Sequence, residues 1–521
     1  MKNFLRQICN SFPLRAVLIF TLLLITLSVL LIVVTSEKMT GKPNPIQSEN
    51  QLPGTTDWQL SNPAPYDART FHYLAIEGYA WSTSVESGDE IKFSVNTTSP
   101  FFTADLYRLG WYQGKGGRFI QSIPNIQGHS YPLPSPDPQT GLVEANWPVT
   151  FTLTTDSHWV SGMYMVKLTA SSGKQSYIPF VIRSSVPADF AFIHAVNTDE
   201  AYNQWGGTSL YVDLTNKLHA RRAFKVSFDR PFRQNTGAGQ FSWWEYPMVR
   251  WLEKNGYDVS YLSDTDIQNP PYPLRSYRAL LIVGHSEYWS KQMRDNLEAA
   301  VNNGVNLGVF AANSIYWQVR YEPRSSGASP IPERVLVCYK DKRSDPFYGK
   351  NNSLVTVQFR DEPLNRPEQS LLGAMYGGWW DHKQPDFPWV VADASSWVFA
   401  GTDLKNGDSL PGLVGYEYDK VYFGFPTPPG LDILSVSPVV NVYKNHDVTN
   451  ATLYTARSGA RVFDAATIDW SLGLASSSSS VSKATQKITK NILQNFLAAG
   501  GKSQSMRPLR PVSEADLISV W

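Results

Sequence analysis

One stretch, residues 279–317, limits the fold of this chain more than any other. It opens with an apolar run (ALLIV, residues 279–283) and returns to a second apolar run at residues 305–310. A helix is predicted between them, because Ser290 suits an N-cap and Asn303-Gly304 supplies a stop. One face of that helix carries Met293, Leu297, Ala300 and Val301. A strand, a crossover helix and a second strand form a βαβ unit, which requires a parallel sheet with both faces covered.

Polar residues follow both predicted strands of this unit. His285 and Glu287 come directly after the first strand, and Asn313 follows the second. In open α/β sheets the ligand site lies at the carboxyl ends of the strands. We therefore expect these three side chains to share one rim of the sheet.

The N-terminal residues predict a membrane anchor. Residues 16–35 are uncharged and mostly apolar, and about 20 such residues span a bilayer as a helix. Three basic residues precede this run: Lys2, Arg6 and Arg15. The positive-inside rule then places residues 1–15 in the cytoplasm and the bulk of a single-pass cell-membrane protein outside it. Secretion after cleavage near residues 34–36 is the alternative, and residues 36–57 are predicted to form a polar linker.

The rest of the chain is predicted to form two folded regions and a tail. Residues 58–186 hold short alternating apolar runs separated by turn residues, which is typical of an antiparallel β-sandwich of immunoglobulin-like or jelly-roll type. Residues 187–500 alternate strands with helices, which predicts a doubly wound, three-layer α/β domain. Residues 351–456 lose the helical rhythm and indicate a β-rich insertion. Residues 501–521 are expected to be a loosely ordered tail.

Several common chemistries are disfavoured by composition and motifs. The net charge is +1 with no long basic run, which argues against a nucleic-acid partner. There is no G-x-S-x-G turn and no zinc spacing, and the glycine-rich residues 110–117 lie among strands rather than before a helix. The two cysteines are Cys9 and Cys338, so the folded part has one thiol, which is more typical of a buried residue than of a nucleophile.

The loops at the strand ends contain oxygen donors. A helix is predicted to begin at Pro247, because proline fits the first helical position, and this leaves Tyr246 at the end of a loop. Tyr202, Tyr246 and Glu287 would then be hard donors that favour ferric iron over zinc if they converge. On the alternative interpretation the tyrosines are wall residues and Glu287 caps the helix that starts near Ser290.

Seven ordered blocks of sequence resemble the large-subunit family of N,N-dimethylformamidase. They include DLYRLGWYQGKGGR (residues 105–118), AYNQWGGTSLY (201–211), GHSEYWSKQMR (284–294) and GVNLGVFAANSIYWQVRYE (304–322). The resemblance covers about residues 66–499. It implies a β-sandwich followed by an α/β domain of glutamine-amidotransferase-like or flavodoxin-like type. It also implies hydrolysis of a small formamide at a mononuclear ferric site made by two tyrosines and a glutamate.

The resemblance also assigns individual residues. Tyr202 and Glu287 resemble the first tyrosine ligand and the carboxylate ligand, and Tyr246 is chosen as the second tyrosine, with Tyr211 and Tyr288 as alternatives. The remaining site residues are assigned as follows: His285 as the histidine that orients the site, Asn313 as a nearby amide, Lys340 as a nearby cation and Glu417 as the general base.

The sequence therefore predicts a membrane-anchored, extracytoplasmic hydrolase of non-peptide amide C–N bonds that uses Fe(III) and acts on a small amide. Assembly into a homo-oligomer is compatible with it, and no small subunit is visible in the chain. A non-catalytic surface or glycan-binding protein on the same scaffold is the rival from another class. A hydrolase that uses Cys338 ranks last, because nothing around this cysteine predicts a nucleophile turn.

Overall fold

The computed structural model describes residues 44–215, 222–325, 331–381, 386–475 and 479–498. Residues 46–521 group into one compact unit, and residues 1–45 form the other, of which only Asn44 and Pro45 are described. The predicted membrane helix at residues 16–35 and the predicted tail at residues 501–521 lie outside the described residues. Among the residues that are described, no helix is both long and apolar enough to cross a membrane.

Two sheets in the first part of the compact unit share one core. The smaller sheet is antiparallel and contains Ile76–Ala80, Glu90–Thr97 and Phe151–Thr154. The larger contains, in spatial order, Ser84–Glu86, Gln175–Arg183, Gly162–Ala170, Phe101–Leu109 and Gly117–Gln127. A two-stranded ribbon, Tyr66–Asp67 with His72–Tyr73, lies apart from them in the hydrogen-bonding pattern. Phe93 of the smaller sheet meets Phe180 of the larger with their ring centroids 5.6 Å apart.

A seven-stranded sheet organises the rest of the unit. Its strands, in spatial order, are Val259–Ser263, Phe190–His194, Ala279–Gly284, Asn306–Ala311, Arg461–Asp464, Thr452–Thr455 and Asp432–Ile433. The first five are parallel, and the last two are antiparallel to their neighbours. Every residue of the first four strands is buried, because apolar clusters cover both faces of the sheet.

The described helices are few. Three exceed ten residues: Phe241–Lys254, Lys291–Asn302 and Ser480–Ala498. The short ones are Pro45–Glu49, Val196–Tyr202, Asp264–Gln268 and Gln369–Leu372. The helix predicted after Ser290 is confirmed, and the Ser290 hydroxyl accepts a hydrogen bond from the Met293 amide at 3.0 Å. The two strands predicted around it are confirmed as Ala279–Gly284 and Asn306–Ala311.

Smaller sheets complete the unit. A four-stranded sheet, Lys225–Ser227, Val335–Val337, Trp317–Glu322 and Tyr288–Ser290, lies next to the loop that follows Gly284. The predicted β-rich segment contains three two-stranded antiparallel sheets: Met375–Trp379 with Glu417–Lys420, Phe387–Val390 with Ser409–Val414, and Ser437–Val440 with His446–Thr449.

The predicted fold class is wrong. The prediction was an antiparallel sandwich followed by a doubly wound, three-layer α/β domain, but the sheets are mixed and the described helices are few. The predicted transmembrane element has no support either, because no described helix could span a membrane. Ser84–Glu86 pairs in parallel with Gln175–Arg183 in the first part. In the second part a tight turn at residues 456–460 joins Thr452–Thr455 to Arg461–Asp464, and so short a connection can only make an antiparallel pair.

The helix that was predicted to begin at Pro247 begins at Phe241 instead. Pro247 therefore lies inside the helix Phe241–Lys254. Buried aromatic residues explain the earlier start, since Phe241 and Trp244 both pack into the core. Tyr246 is consequently a helical residue and not the end of a loop.

Candidate active site

The loop after the strand Ala279–Gly284 places Glu287 in a buried position. Gly284 has a φ of +69°, and a Cβ there would lie 2.3 Å from the Cβ of Trp244, so the turn requires glycine. The Glu287 amide donates to Thr198 Oγ1 at 2.9 Å, and its carbonyl accepts from the Tyr316 and Trp317 amides. The backbone of Glu287 is thus fixed on both sides.

Two phenols converge on the Glu287 carboxylate. Tyr202 Oη donates to Oε2 at 2.8 Å, and Tyr211 Oη lies 2.9 and 3.0 Å from Oε1 and Oε2. The two rings are stacked with centroids 4.3 Å apart. Tyr288 Oη in turn donates to Tyr211 Oη at 2.6 Å. Burial and the charge of Glu287 hold the pKa of Tyr202 and of Tyr211 well above the usual range for a phenol.

The segment between Tyr202 and Tyr211 is fixed by buried charges. The Arg230 guanidinium pairs with Glu200 at 2.5 Å and donates to the carbonyls of Asn203, Trp205 and Thr208. Trp205 Nε1 donates to Glu77 of the smaller sheet at 2.7 Å. The strand Ile76–Ala80 therefore contributes directly to the shape of the loop that carries both phenols.

His285 lies between two carboxylates. Its Nε2 is 3.1 Å from Glu417 Oε2 and 3.4 Å from Glu287 Oε2. Burial lowers the pKa of His285, but the two carboxylates outweigh burial and raise it to about 10. Burial likewise raises the pKa of Glu287, but hydrogen bonding and the charge of His285 outweigh it, so this pKa lies below its usual value. An imidazolium therefore joins the two carboxylates at neutral pH.

Asn313 completes this group from the next strand. It has a φ of +53°, and its Nδ2 lies 3.3 Å from Glu417 Oε2 and 3.4 Å from His285 Nε2. Two buried polar atoms here, Asn313 Oδ1 and His285 Nδ1, have no hydrogen-bond partner among the described residues. Unsatisfied buried polar atoms are uncommon, and both belong to residues that touch Glu417.

Lys340 supplies a cation above the phenols. Its Nζ lies 3.4 Å from the ring centroid of Tyr211, and 5.2 and 5.0 Å from those of Tyr288 and Trp317. Burial lowers the pKa of Lys340 to about 8, although the charge of Glu287 acts in the opposite direction. The ammonium group is thus held by ring faces beside the Glu287 carboxylate.

A second buried ionisable cluster lies behind the helix Val196–Tyr202. His194 Nδ1 is 2.6 Å from Glu245 Oε2, whereas its Nε2 is 4.0 Å from Asp199 Oδ2. Burial lowers the pKa of His194, and Glu245 outweighs burial and raises it to about 9. Burial raises the pKa of Asp199 to about 8. Glu245 is therefore the nearer carboxyl partner of His194, and burial favours the protonated form of Asp199.

Comparison with known proteins identifies the family. A family model described as "N,N-dimethylformamidase beta subunit-like, C-terminal" matches residues 103–486. The chain belongs to this family. The membership implies a hydrolase of the dimethylformamidase kind, and the family predicted from the sequence is confirmed. A search of curated proteins found no match to the chain.

Solved structures give only weak similarities. A variant superoxide reductase (neelaredoxin) from Ignicoccus hospitalis is 13% identical with a TM-score of 0.15, over 22% of this chain and 83% of that one. A Paenibacillus sp. cycloisomaltooligosaccharide glucanotransferase is 9% identical with a TM-score of 0.15, over 54% of this chain and 36% of that one. Neither similarity bears on the fold or function of this member of the dimethylformamidase family.

Six of the seven site residues chosen from the family resemblance lie together, and Tyr246 does not. Its hydroxyl donates to the Gly116 carbonyl at 2.8 Å, and its ring packs edge-on against Trp58 at 5.4 Å. Tyr246 lies apart from the other six residues because it is on the helix Phe241–Lys254, on a side that faces the larger N-terminal sheet. Tyr211, one of the two alternatives, occupies the expected place at Glu287, and Tyr288 contacts Tyr211.

Other residues of the site carried no recognisable sequence signal. Thr198 accepts the hydrogen bond from the Glu287 amide. Burial and the negative charges of Glu417 and Glu287 raise the pKa values of Tyr376 and Tyr416. Threonine and tyrosine are common in helices and strands of any protein, so only the three-dimensional arrangement distinguishes these.

Cys338 is buried against a backbone carbonyl. The residue is fully buried, its Sγ contacts the Gln318 carbonyl at 3.8 Å, and burial raises its pKa to about 11. Such a thiol is a poor nucleophile. Within the described residues, no group of three or more His, Cys, Asp or Glu side chains is arranged to hold a metal ion.

Proposed function

We propose that the chain is a metal-dependent hydrolase of non-peptide amide C–N bonds, with Fe(III) held by Tyr202, Tyr211 and Glu287. The observation that carries the proposal is the convergence of two phenols on one buried carboxylate. Tyr211 replaces Tyr246 in the ligand set. The substrate class is a small amide, as the name of the family suggests.

The donor set suits a hard, highly charged cation. Two phenol oxygens and a carboxylate are all oxygen donors, and tyrosinate is a natural partner of ferric iron. The raised pKa values of both phenols mean that a strong local positive charge is needed to make them phenolates. When bound, the ion would act as a Lewis acid that polarises the amide carbonyl or lowers the pKa of a water molecule.

The protein groups around the ligands then have separate tasks. Glu417 is placed to take a proton from the attacking water and to pass it to the nitrogen of the departing amine, so that an amide and water become a carboxylic acid and an amine. His285 donates to both Glu287 and Glu417 and fixes their separation. The Asn313 amide and the Lys340 ammonium are placed to stabilise negative charge on the carbonyl oxygen.

The rival function, a catalytically silent binding protein, has less support. A buried pair of ionisable groups is a weak source of stability, because desolvation offsets much of the attraction. Here Glu287, His285, Glu417 and Lys340 are all withdrawn from solvent within one group. Such concentrations of buried ionisable groups are typical of catalytic sites.

Metal analysis of the purified protein tests the proposal. Iron bound by tyrosinate gives a visible charge-transfer band, so the iron-loaded protein should be coloured and should hydrolyse small formamides or primary amides. A colourless preparation that takes up no iron on anaerobic reconstitution and later oxidation would refute the metal assignment. Full activity in a chelator-treated, iron-free preparation would refute the metal-dependent mechanism.

A further inference from the structure

Two buried carboxyl groups, Asp419 and Asp464, lie near the site, and the first contacts Asn313. Asp419 Oδ1 accepts the Asn313 backbone amide at 2.7 Å, and Asp464 Oδ1 accepts the Ala466 amide at 2.8 Å. Both side chains are fully buried. The second oxygen of each, Oδ2, has no hydrogen-bond donor among the described residues. Neither carboxyl group takes part in the mechanism proposed above.

The backbone brings the two carboxyl groups to the same place. The Asp419 amide donates to the Ala466 carbonyl at 3.2 Å, while Asp464 accepts the amide of the same residue. Thr449 Oγ1 donates to the carbonyls of both Asp419 and Ala466, at 2.8 and 2.9 Å. Ala466 has a φ of +57°, so this crossing of the chain is tightly defined.

Two ionised carboxylates would have no donor for their free oxygens. An ionised carboxylate only accepts hydrogen bonds, whereas a protonated one also donates. The other charged groups that face Asp419 are Arg360, Glu368 and Glu417, and Arg360 pairs with Glu368 at 3.1 Å. The nearby guanidinium is therefore already neutralised. Burial raises the pKa of Asp419 to about 7, and burial together with the charge of Asp419 raises the pKa of Asp464 well above its usual value.

We propose that Asp419 and Asp464 share one proton, and that this pair is a positioning device that holds Asn313 against Glu417 and His285. One carboxyl group donates to the other through their Oδ2 atoms, and Asp419 Oδ1 stays free to accept the Asn313 amide. The catalytic meaning of this placement depends on the proposed amide hydrolysis, but the shared proton does not.

The position of Asp419 explains why a site residue would depend on it. Asp419 is two residues from Glu417 on the strand Glu417–Lys420, so the two side chains leave the strand on the same face. One strand thus carries both the proposed base and the anchor of the amide beside it. Asn313 has a left-handed backbone conformation, which is uncommon for a non-glycine residue and needs support from its surroundings.

Loss of the shared proton should weaken this anchor. Above the pKa of the pair, two negative charges would be buried together without a donor between them, and the segment that holds Asn313 should open more often. Asparagine at position 464 supplies a donor that cannot be titrated. The Asp464→Asn protein should therefore keep the anchor at every pH.

Hydrogen–deuterium exchange by mass spectrometry tests this with the full-length chain at a series of pH values from about 7 to about 10, with rates corrected for intrinsic exchange. In the wild type we expect the peptide over residues 312–316 to exchange at least about threefold faster at the top of this range than at the bottom, and equally at both ends in Asp464→Asn. Asp345→Asn removes a buried carboxylate that pairs with Arg320 at 2.8 Å and lies outside the pair, so it is the control and should keep the wild-type pH dependence of residues 312–316.

The exchange rates test the shared proton without any substrate. Equal pH dependence of residues 312–316 in the wild type and in Asp464→Asn would overturn the shared proton. Faster exchange that is spread over the whole chain would overturn the positioning role. If Asp464→Asn does not fold, Asp419→Asn supplies the donor from the other side, and failure of both to fold would also overturn the proposal. A protein without amide hydrolysis leaves these measurements interpretable, because they do not use turnover.

Discussion

Tyr211 donates its phenol hydrogen bond to the carboxylate of Glu287, although the two residues are 76 positions apart in the chain. The phenol reaches both carboxylate oxygens, while Tyr202 reaches one of them. This contact favours Tyr211 over Tyr246 as the second oxygen donor of the proposed site.

The ligand assignment predicts different results for three similar substitutions. Tyr202→Phe and Tyr211→Phe each remove one donor, so both should lower the iron content and reduce or shift the visible band. Tyr246→Phe is the matched control, because its hydroxyl bonds to the Gly116 carbonyl and lies outside the site. Metal analysis and absorption spectra of the three proteins measure this. Retention of iron and colour by Tyr211→Phe, with loss in Tyr246→Phe, would reverse the assignment.

The base assignment predicts that Glu417→Gln separates metal binding from turnover. Glutamine keeps the size of the side chain but cannot take a proton, so kcat should fall by about 10²- to 10⁴-fold while iron remains bound. Glu287→Gln should instead lose iron. Steady-state kinetics together with metal analysis distinguish the two. Unchanged kcat in Glu417→Gln would remove this residue from the mechanism.

Cys338→Ala should leave turnover unchanged. The thiol is buried with a pKa raised to about 11, and it contacts a backbone carbonyl rather than a base. In the native protein it should also resist a thiol reagent such as dithionitrobenzoate until the chain is unfolded. Loss of activity in Cys338→Ala, with the iron content preserved, would revive a cysteine mechanism.

The buried pair of Arg108 and Glu253 should dominate the stability of the contact between the larger N-terminal sheet and the helix Phe241–Lys254. Arg108 donates to both Glu253 oxygens, at 2.7 and 3.0 Å, and both side chains are inaccessible to solvent. Glu253→Gln leaves a buried guanidinium without its charge partner and should lower the free energy of unfolding by about 3–5 kcal/mol. Urea denaturation measures this loss. Lys342→Ala, which breaks an exposed pair with Glu362, should cause no measurable change.

The cluster of His194 and Asp199 predicts that stability falls as the pH rises. The folded chain keeps protons on His194 up to a pKa of about 9 and on Asp199 up to about 8, whereas the unfolded chain loses them near about 6.5 and 3.9. The stabilisation that protonation of these two groups provides is therefore fully present at low pH and is lost as the pH rises through these values. The melting temperature should be lower at pH 9 than at pH 6, and Asp199→Asn should reduce the difference. An equal difference in the variant would contradict the protonation of Asp199.

The sequence was most informative where local residues alone determine the secondary structure. The strand, helix and strand of residues 279–311 follow from apolar periodicity and the Ser290 cap, and the expectation that Glu287 and Asn313 lie near each other follows from strand ends alone. Tyr246 was misplaced because a single proline was taken as the start of a helix. The burial of Phe241 and Trp244 extends that helix by about two turns, and burial depends on distant residues that no local pattern reveals.

The same limit explains the error in fold class. The strand Thr452–Thr455 adds to the parallel sheet in the opposite direction, and Asp432–Ile433 pairs antiparallel with it, yet their short apolar runs look like those of any strand. Direction in a sheet is set by connections and neighbours. For the site, Glu417 and Lys340 could be assigned only by resemblance to a family, because each follows an unremarkable strand. Asp419 and Asp464 could not be found at all, since a lone aspartate in a strand gives no sign of its burial.

The hydrogen bond from Trp205 to Glu77 has a consequence for how the two halves of the chain can evolve. The loop that holds Tyr202 and Tyr211 also presents Gly206 to Val143, where a Cβ would come within 2.6 Å. Residues before position 186 therefore determine the conformation of the segment that carries the two phenols. Recombination with a homologous protein should preserve the site only if these residues and the loop are inherited together. The second half expressed alone should lack the native conformation of this loop.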